Sequence, residues 1–210
     1  MKEGVVAKMK EFNAVLAGVG GQGILLAAEI LGTAALKQGL NVRVSEIHGM
    51  AQRGGAVVSN VRIGEKVLAP TVLEGQADVL LGFEPLETLR SLRCASEKTV
   101  VIMSDERITP TELTAKKMKY PDLEEIAKKI RGFTKNLIVL PAAKLAKEAG
   151  NVLTGNVVLI GALAATRKLP IKDESIIDAL RELVPAKHLD VNIRAFKLGY
   201  QHAKKGRTRT

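Results

Sequence analysis

The sequence predicts an α/β fold: a doubly wound, mainly parallel sheet of the Rossmann type, with flanking helices and C-terminal helices that close the domain. Short apolar runs alternate with helical patterns along most of the chain. This alternation is typical of strands joined by crossover helices. A glycine-rich turn at residues 18–23 also follows the first apolar run and opens the first helical pattern.

The first predicted unit is a strand, a glycine loop, a helix and a second strand. Residues 13–17 form a short apolar run, and residues 24–37 place Leu and Ala side chains at helical spacing. Gly39 is expected to end that helix. Residues 42–46 predict the second strand, and β-branched residues over 56–63 predict a third.

The rest of the chain continues this pattern. Strands are expected at 77–81, 99–103 and 137–140, and helices at 85–93, 123–130, 142–149, 156–168, 173–183 and 188–204. Residues 104–121 hold two prolines and a lysine cluster, and they predict an exposed excursion. We expect a single α/β domain over residues 1–202 and a basic disordered tail over 203–210, which holds four cations and no acid.

Composition excludes several classes of protein. The single cysteine, Cys94, cannot form an internal disulfide or a four-thiolate cluster. The three histidines lie far apart in sequence, so no metal site is expected. Aromatic residues make up 3% of the chain, too few for a platform that stacks single-stranded nucleic acid. No apolar stretch reaches the roughly 20 residues that a membrane span needs, so we expect a cytoplasmic protein without a membrane partner.

The glycine loop, residues 18–23, fits the pattern G-x-G-x-x-G, with Gly18, Gly20 and Gly23 at the pattern positions and Gly21 and Gln22 between them. Such a loop lets backbone N–H groups approach an anion at the N-terminus of the following helix. An isoleucine follows the last glycine, where a P-loop needs lysine. Three interpretations stay open: glycines that only permit close packing, a dinucleotide site, or a loop that serves another ligand or a subunit interface.

Two alternative functions depend on these features. A stand-alone NAD(P)-binding oxidoreductase needs an acid about twenty residues after the loop for the ribose hydroxyls, and Glu46 could supply it. A nucleic-acid-binding module is favoured by the net charge of +10. Four of the cations lie in the tail and the others alternate with acids, so we expect no nucleic-acid partner.

The loop after the second strand is the most unusual segment, because residues 46–55 read EIHGMAQRGG. In an open α/β sheet, loops at the carboxyl ends of strands line the binding crevice, so we expect this loop beside the glycine loop. Arg53 suits a phosphate or carboxylate, and His48 can exchange a proton near neutral pH. With Gln52 as a polar neighbour, these residues are the catalytic candidates. The plainer alternative is a solvated loop with a stray histidine.

Taken together, GVGGQG and SEIHGMAQRGGAVVSNVRIG resemble the gamma-type subunit of 2-oxoacid:ferredoxin oxidoreductases. The form that contains HGMAQRGG is similar to the indolepyruvate ferredoxin oxidoreductase branch, in which this subunit is called beta. The resemblance extends over most of the chain and includes GNVVLIG at 155–161 and the pattern NxxAFxxG at 192–199. The excursion at 104–121 adds little to it.

This resemblance implies a hetero-oligomeric enzyme that oxidatively decarboxylates an aryl pyruvate to its acyl-coenzyme A and reduces ferredoxin. Thiamine diphosphate, Mg²⁺ and iron–sulfur clusters would belong to the larger alpha subunit. The single cysteine and the lack of a GDG…N motif agree with a subunit that binds none of these cofactors alone and is inactive without its partner. Coenzyme A would be the co-substrate. The residues implied to face ligands are Gly18, Gly20, Gly21, Gln22, Gly23, Arg53, Gly54, Gly55 and Arg62.

Overall fold

The structure is a computed structural model that describes residues 11–49, 55–109 and 119–207, and it contains a six-stranded sheet in the order β2–β3–β1–β4–β5–β6. The strands are β1 (Phe12–Val19), β2 (Asn41–His48), β3 (Ala56–Gly64), β4 (Val79–Gly82), β5 (Val100–Ser104) and β6 (Leu137–Leu140). The helices are α1 (Ile24–Lys37), α2 (Pro85–Arg90), α3 (Leu123–Phe133), α4 (Ala142–Ala149), α5 (Gly155–Ala165), α6 (Asp173–Leu183) and α7 (Ala186–Arg207). Short 3₁₀ turns cover Ser91–Cys94 and Val152–Thr154.

Four neighbouring strands, β1, β4, β5 and β6, run parallel to one another. Every residue of β4 and β5 is buried, which explains why these strands are continuous apolar runs in the sequence. Helices α2 and α3 connect β4 to β5 and β5 to β6, as the alternating pattern predicted. The predicted α/β class with a mainly parallel sheet is confirmed.

The third strand departs from a purely parallel arrangement. Strand β3 lies between β1 and β2 and is antiparallel to both. The reason is the length of its connection, because β2 and β3 are joined by only residues 49–55. A parallel crossover needs a dozen or more residues, whereas a hairpin does not. A bond from the Gly49 N–H to the Ala56 carbonyl (2.7 Å) closes the ladder at this end.

Helices cover the two faces of the sheet unequally. Buried residues of α1, α4, α5, α6 and α7 share one core with one face, and α3 packs with the other. Residues 156–165 of α5 are all buried. Helix α5 crosses α7 closely, since a Cβ atom at Gly161 would lie 2.0 Å from the Phe196 carbonyl oxygen. Alanine cannot fit at this crossing.

The C-terminal helix is longer than the sequence predicted. Helix α7 continues to Arg207, and Ala203 is 1% exposed because it packs into the core. The tail predicted for 203–210 therefore begins too early, while residues 208–210 lie outside the described residues. Much of the predicted excursion, residues 110–118, also lies outside them. Among the described helices, none has both the length and the apolar character required to cross a membrane.

Candidate functional site

The glycine loop is held in shape by its own glutamine. The Gln22 Oε1 atom accepts a hydrogen bond from the Val19 N–H (2.8 Å), and its Nε2 donates to the Phe83 carbonyl (2.9 Å). Any side chain at Gly18 would collide with this arrangement, because its Cβ atom would lie 2.6 Å from Gln22 Oε1 and 2.7 Å from Phe83 Cβ. Gln22, which was predicted to face a ligand, lines the candidate crevice, and its amide also links β1 to the end of β4.

The last glycine of the loop is required for two independent reasons. Gly23 has φ 73°, a left-handed conformation that favours glycine. Its Cβ atom would also lie 2.6 Å from Asn156 Nδ2, which donates to the Gly23 carbonyl (3.2 Å). Asn156 at the start of α5 thus packs against the loop that precedes α1. Asn156 was not among the site residues predicted from the sequence, although it lies in the GNVVLIG segment.

A crevice of about 350 Å³ opens at the carboxyl ends of the parallel strands. The glycine loop forms one wall, the residues after β4 and β5 form the floor and the opposite wall, and the start of α5 closes the third side. Its lining residues include Gly20, Gly21, Gln22, Phe83, Ser104, Glu106, Ile108, Ala142, Val152, Leu153, Asn156 and Leu159. The crevice therefore occupies the edge of the sheet where α/β folds bind ligands.

The N-termini of two helices meet this crevice. Helix α1 follows the glycine loop, and α5 begins at Gly155 in the crevice wall. Within the described part of the chain, no side-chain hydrogen bond caps either helix at its N-cap, and the first turns contain no acid. The Asn156 side chain accepts from the Val157 N–H (2.9 Å) in the first turn of α5, and the positive ends of the two helix dipoles make this region of the crevice favourable for an anion.

The wall formed by the residues after β5 is acidic, in contrast to the positive ends of the two helices. Burial raises the pKa of Glu106 above its ordinary value, and the neighbouring Asp105 carboxylate raises that pKa further. Burial is also the main reason that the pKa of Asp105 is raised. The Ser104 hydroxyl accepts from the Glu106 N–H (3.1 Å) and fixes this turn. Glu106 and Ser104 thus present hydrogen-bonding groups to the less anionic part of a ligand.

A buried carboxylate connects the floor to this wall. Glu84 is fully buried and accepts from the Glu87 N–H (2.8 Å) and the Ile108 N–H (3.4 Å). The Tyr120 hydroxyl also donates to Glu84. Burial and this contact raise the pKa of Tyr120 well above its usual range, so the phenol stays protonated as a donor. Residues on both sides of the 110–118 segment are thereby attached to the end of β4.

The loop after β2 reaches the glycine loop at the end that the structure describes. The Gly20 N–H donates to the Gly55 carbonyl (2.9 Å), so the expected proximity of the two loops is observed there. His48 ends β2 in an exposed position, with its Nε2 atom 3.4 Å from Glu46 Oε2. The remaining candidates in this loop, Gln52, Arg53 and Gly54, lie outside the described residues.

The position of β3 between β1 and β2 disfavours the interpretation of the glycine loop as a dinucleotide site. Glu46 pairs with Ser59 of β3, and Ser59 pairs with Leu16 of β1. The acid is therefore two strand spacings from β1, roughly 10 Å away, rather than on the neighbouring strand. The dinucleotide fold needs its ribose-binding acid at the end of the strand beside the glycine loop. The side chains of Gln22 and Asn156 also pack against the glycine loop, at Gly18 and Gly23.

Arg62 is the one described candidate that the structure places far from the crevice. It pairs with Asn13 at the start of β1, five residues before Gly18, which is roughly 17 Å along the strand. Its guanidinium donates to Asn13 Oδ1 (2.8 Å) and the Ala69 carbonyl (2.8 Å), and it also pairs with Glu11. Arg62 therefore holds the opposite end of the sheet together. The sequence could not show this, because it does not give the direction of β3.

A larger cavity of about 520 Å³ lies along the outer edge of β6. Its lining includes Lys135, Lys168 and His202, and none of the residues that the sequence singled out as ligand-facing. The smaller crevice contains Gly20, Gly21 and Gln22 and lies at the carboxyl ends of the strands. Position and chemistry, rather than volume, make the crevice the candidate site.

Comparison with known families decides the relationship of this chain. Residues 13–202 match the family model described as pyruvate ferredoxin/flavodoxin oxidoreductase. The chain belongs to this family. The match covers the sheet, the crevice and most of α7, so the resemblance to gamma-type subunits that the loops indicated is confirmed.

Individual relatives place the chain more closely within the family. It is 48% identical over 197 residues to the indolepyruvate oxidoreductase subunit IorB of Thermococcus kodakarensis, covering 93% of this chain and 98% of the relative. The gamma subunit of a keto/oxoacid ferredoxin oxidoreductase from Geobacter sulfurreducens is 25% identical, with a TM-score of 0.67, over 91% of this chain and 98% of that one.

A third match concerns the fold alone. The 2-oxoglutarate:ferredoxin oxidoreductase of Magnetococcus marinus, solved with 2-oxoglutarate, coenzyme A and succinyl-CoA bound, is 20% identical with a TM-score of 0.72. The match covers 94% of this chain but 32% of that longer chain. The same fold thus occurs both as a separate subunit and as part of a larger polypeptide.

Proposed function

We propose that this chain is the cofactor-free subunit of an indolepyruvate:ferredoxin oxidoreductase. The enzyme would oxidatively decarboxylate an aryl 2-oxoacid to its acyl-coenzyme A and pass the electrons to ferredoxin. The observation that carries the proposal is the 48% identity, over nearly the full length of both chains, with the Thermococcus kodakarensis indolepyruvate oxidoreductase subunit.

The cofactor chemistry is assigned to the larger subunit of the hetero-oligomer. Thiamine diphosphate, Mg²⁺ and iron–sulfur clusters on that subunit would supply decarboxylation and electron transfer. The present chain has one cysteine, Cys94, and this agrees with a subunit that holds no cluster of its own. Its part in the reaction is then to bind, orient and shield reactants at the boundary between the two subunits.

The crevice fits a ligand with an anionic end and a neutral, partly apolar body, such as coenzyme A. The N-termini of α1 and α5 favour the anion. Arg53 is the cation that we propose for this anion, since it stands two residues before Gly55, whose carbonyl accepts from the Gly20 N–H. Ser104 and Glu106 can hydrogen-bond to amides or hydroxyls of the ligand body, and the coenzyme A in the Magnetococcus marinus structure agrees with this class of ligand.

Substitution of Arg53 by alanine tests this assignment in the reconstituted complex. Loss of a charge-assisted contact to a bound anion costs about 1.5–3 kcal/mol. We therefore expect a roughly ten- to a hundred-fold loss in kcat/KM. Steady-state kinetics with coenzyme A and indolepyruvate varied separately would show which of the two ligands the arginine binds.

Arg43→Ala is the matched control, because Arg43 is exposed on the same hairpin and pairs with Arg62 at the far end of the sheet. This control should leave the kinetics unchanged. Arg53→Ala kinetics equal to wild type would show that Arg53 is a solvated loop residue. A wild-type complex that assembles but does not turn over any aryl 2-oxoacid would refute the proposed function itself.

A further inference from the structure

We propose that the turn at residues 151–154 is a preformed anchor, and that it inserts the Leu153 side chain into an apolar pocket of the larger partner subunit. The identity of the partner rests on the proposed function. The anchor itself rests on three observations: the exposure of two adjacent apolar side chains, the rigidity of the turn that carries them, and their position at the mouth of the crevice.

The first observation is exposure. Val152 is 57% exposed and Leu153 is 79% exposed, although both are large and apolar. Single exposed leucines are common on protein surfaces, but these two are adjacent and line the crevice together with buried Ala142 and Leu159. Apolar side chains therefore line the crevice both in its buried wall and at its exposed rim. Contiguous apolar surface beside a polar site is typical of a protein interface.

The second observation is rigidity. Asn151 Oδ1 accepts from the Leu153 N–H (3.0 Å), and the Asn151 carbonyl accepts from both the Thr154 N–H (3.0 Å) and the Thr154 hydroxyl (2.8 Å). Thr154 is 4% exposed, and Arg194 Nε of α7 donates to the Ala149 carbonyl (3.0 Å) just before the turn. The backbone that carries Leu153 is thus fixed in the isolated chain. A fixed anchor loses less conformational entropy on binding than a flexible one.

The third observation is position. A ligand in the crevice must react with groups that the larger subunit carries, so the mouth of the crevice must face that subunit. Val152 and Leu153 form part of this mouth. Any partner that covers the mouth therefore also covers these two side chains. A few side chains that fill well-packed pockets near the centre of an interface carry most of its binding energy.

A binding assay with the purified larger subunit tests the anchor. We expect Leu153→Asp to weaken association by about a hundredfold, which is the effect of removing one strong anchor. Leu68→Asp is the matched control, because Leu68 is also 79% exposed but lies in the connection between β3 and β4, outside the crevice lining. The control should bind like wild type, and both variants should melt within about 2 °C of it.

Three results would overturn the proposal. One is wild-type affinity in Leu153→Asp, and another is an equal loss in both variants, which would indicate a general effect of surface charge. The third is a Leu153→Asp chain that loses self-association but still binds the larger subunit, since the rim would then contact a second copy. Turnover of indolepyruvate is measured separately. An active wild-type complex with an unaffected Leu153→Asp variant would leave the proposed function standing and remove only the anchor.

Discussion

The outer hairpin strand β2 and the parallel strands β4 and β5 belong to one sheet but differ sharply in burial. Six of the eight residues of β2 are exposed, including Val44 and Ile47, whereas every residue of β4 and β5 is buried. Helices cover both faces of the parallel strands, while the hairpin packs on α1 from one side. The parallel half of the sheet therefore contains the fully buried strands β4 and β5, whereas the hairpin half ends at the exposed edge strand β2.

The glycine loop joins these two halves. Gly20 bonds to Gly55 on the hairpin side, and Gln22 bonds to the Phe83 carbonyl on the parallel side. A shift of the hairpin would thus change one wall of the crevice while the floor stayed in place. The parallel half thus contributes Phe83 to the crevice, and the hairpin half contacts the glycine loop through Gly55.

The largest expected effect is on the stability of the parallel half. Leu80 of β4 is fully buried, and Leu80→Ala should lower the free energy of unfolding by about 3 kcal/mol, because it removes apolar contacts and leaves a cavity. Ile47→Ala on β2 should cost less than about 1 kcal/mol, since this side chain is 55% exposed. Denaturant unfolding of both variants measures the difference. Similar costs would show that the hairpin contributes as much stability as the buried strands.

A smaller effect is expected where the halves join. Gln22→Ala removes two hydrogen bonds from the partly buried glycine loop, to the Val19 N–H and the Phe83 carbonyl. The loss should lie near 1–3 kcal/mol, because the partner groups lose their acceptor and donor. Thermal melts measure it. Gln22→Glu is the informative companion, since it keeps an acceptor for Val19 but cannot donate to Phe83. A variant as stable as wild type would argue that water replaces these bonds.

The smallest expected effect concerns the acidic wall of the crevice. The raised pKa of Asp105 means that the folded state binds its proton more tightly than the unfolded state. This group therefore lowers stability as the pH rises from its unfolded pKa, about 3.8, through the raised folded pKa. Asp105→Asn should raise the melting temperature at pH 7 by at most about 2 °C.

The advantage of Asp105→Asn should shrink as the pH falls towards 4, where wild-type Asp105 becomes protonated. Lys144→Met serves as the control, because it removes a charged side chain from an exposed position on α4. A stabilisation of Asp105→Asn that stays constant from pH 7 to pH 4 would show that burial does not penalise the charged carboxylate.

Local signals in the sequence were enough to define several elements. The bounds predicted for α1, β6, α4 and α6 agree with those in the structure. For each of these elements, the spacing of apolar residues predicts the type of element, and a nearby glycine or proline predicts where it ends. Gly39 and Gly150, for example, have positive φ values just after α1 and α4. Helix α7 was predicted over 188–204 but extends over Ala186–Arg207, and its last turns are held by Ala203, whose packing with the core no neighbour in sequence signals.

The loops that identify the family were also visible in the sequence, because a run of glycines with polar residues is costly unless a ligand or a close contact requires it. The sequence did not show how these residues meet. The antiparallel direction of β3 moved Arg62 to the far end of the sheet and separated Glu46 from the glycine loop.

Tertiary packing alone brought Asn156, Glu106 and Leu153 to one crevice with a loop more than eighty residues earlier in the chain. Strand direction and the pairing of distant segments depend on contacts among residues far apart in sequence. Periodicity and turn residues report only on near neighbours, so they set the helices and strands of this protein but not the arrangement of its site.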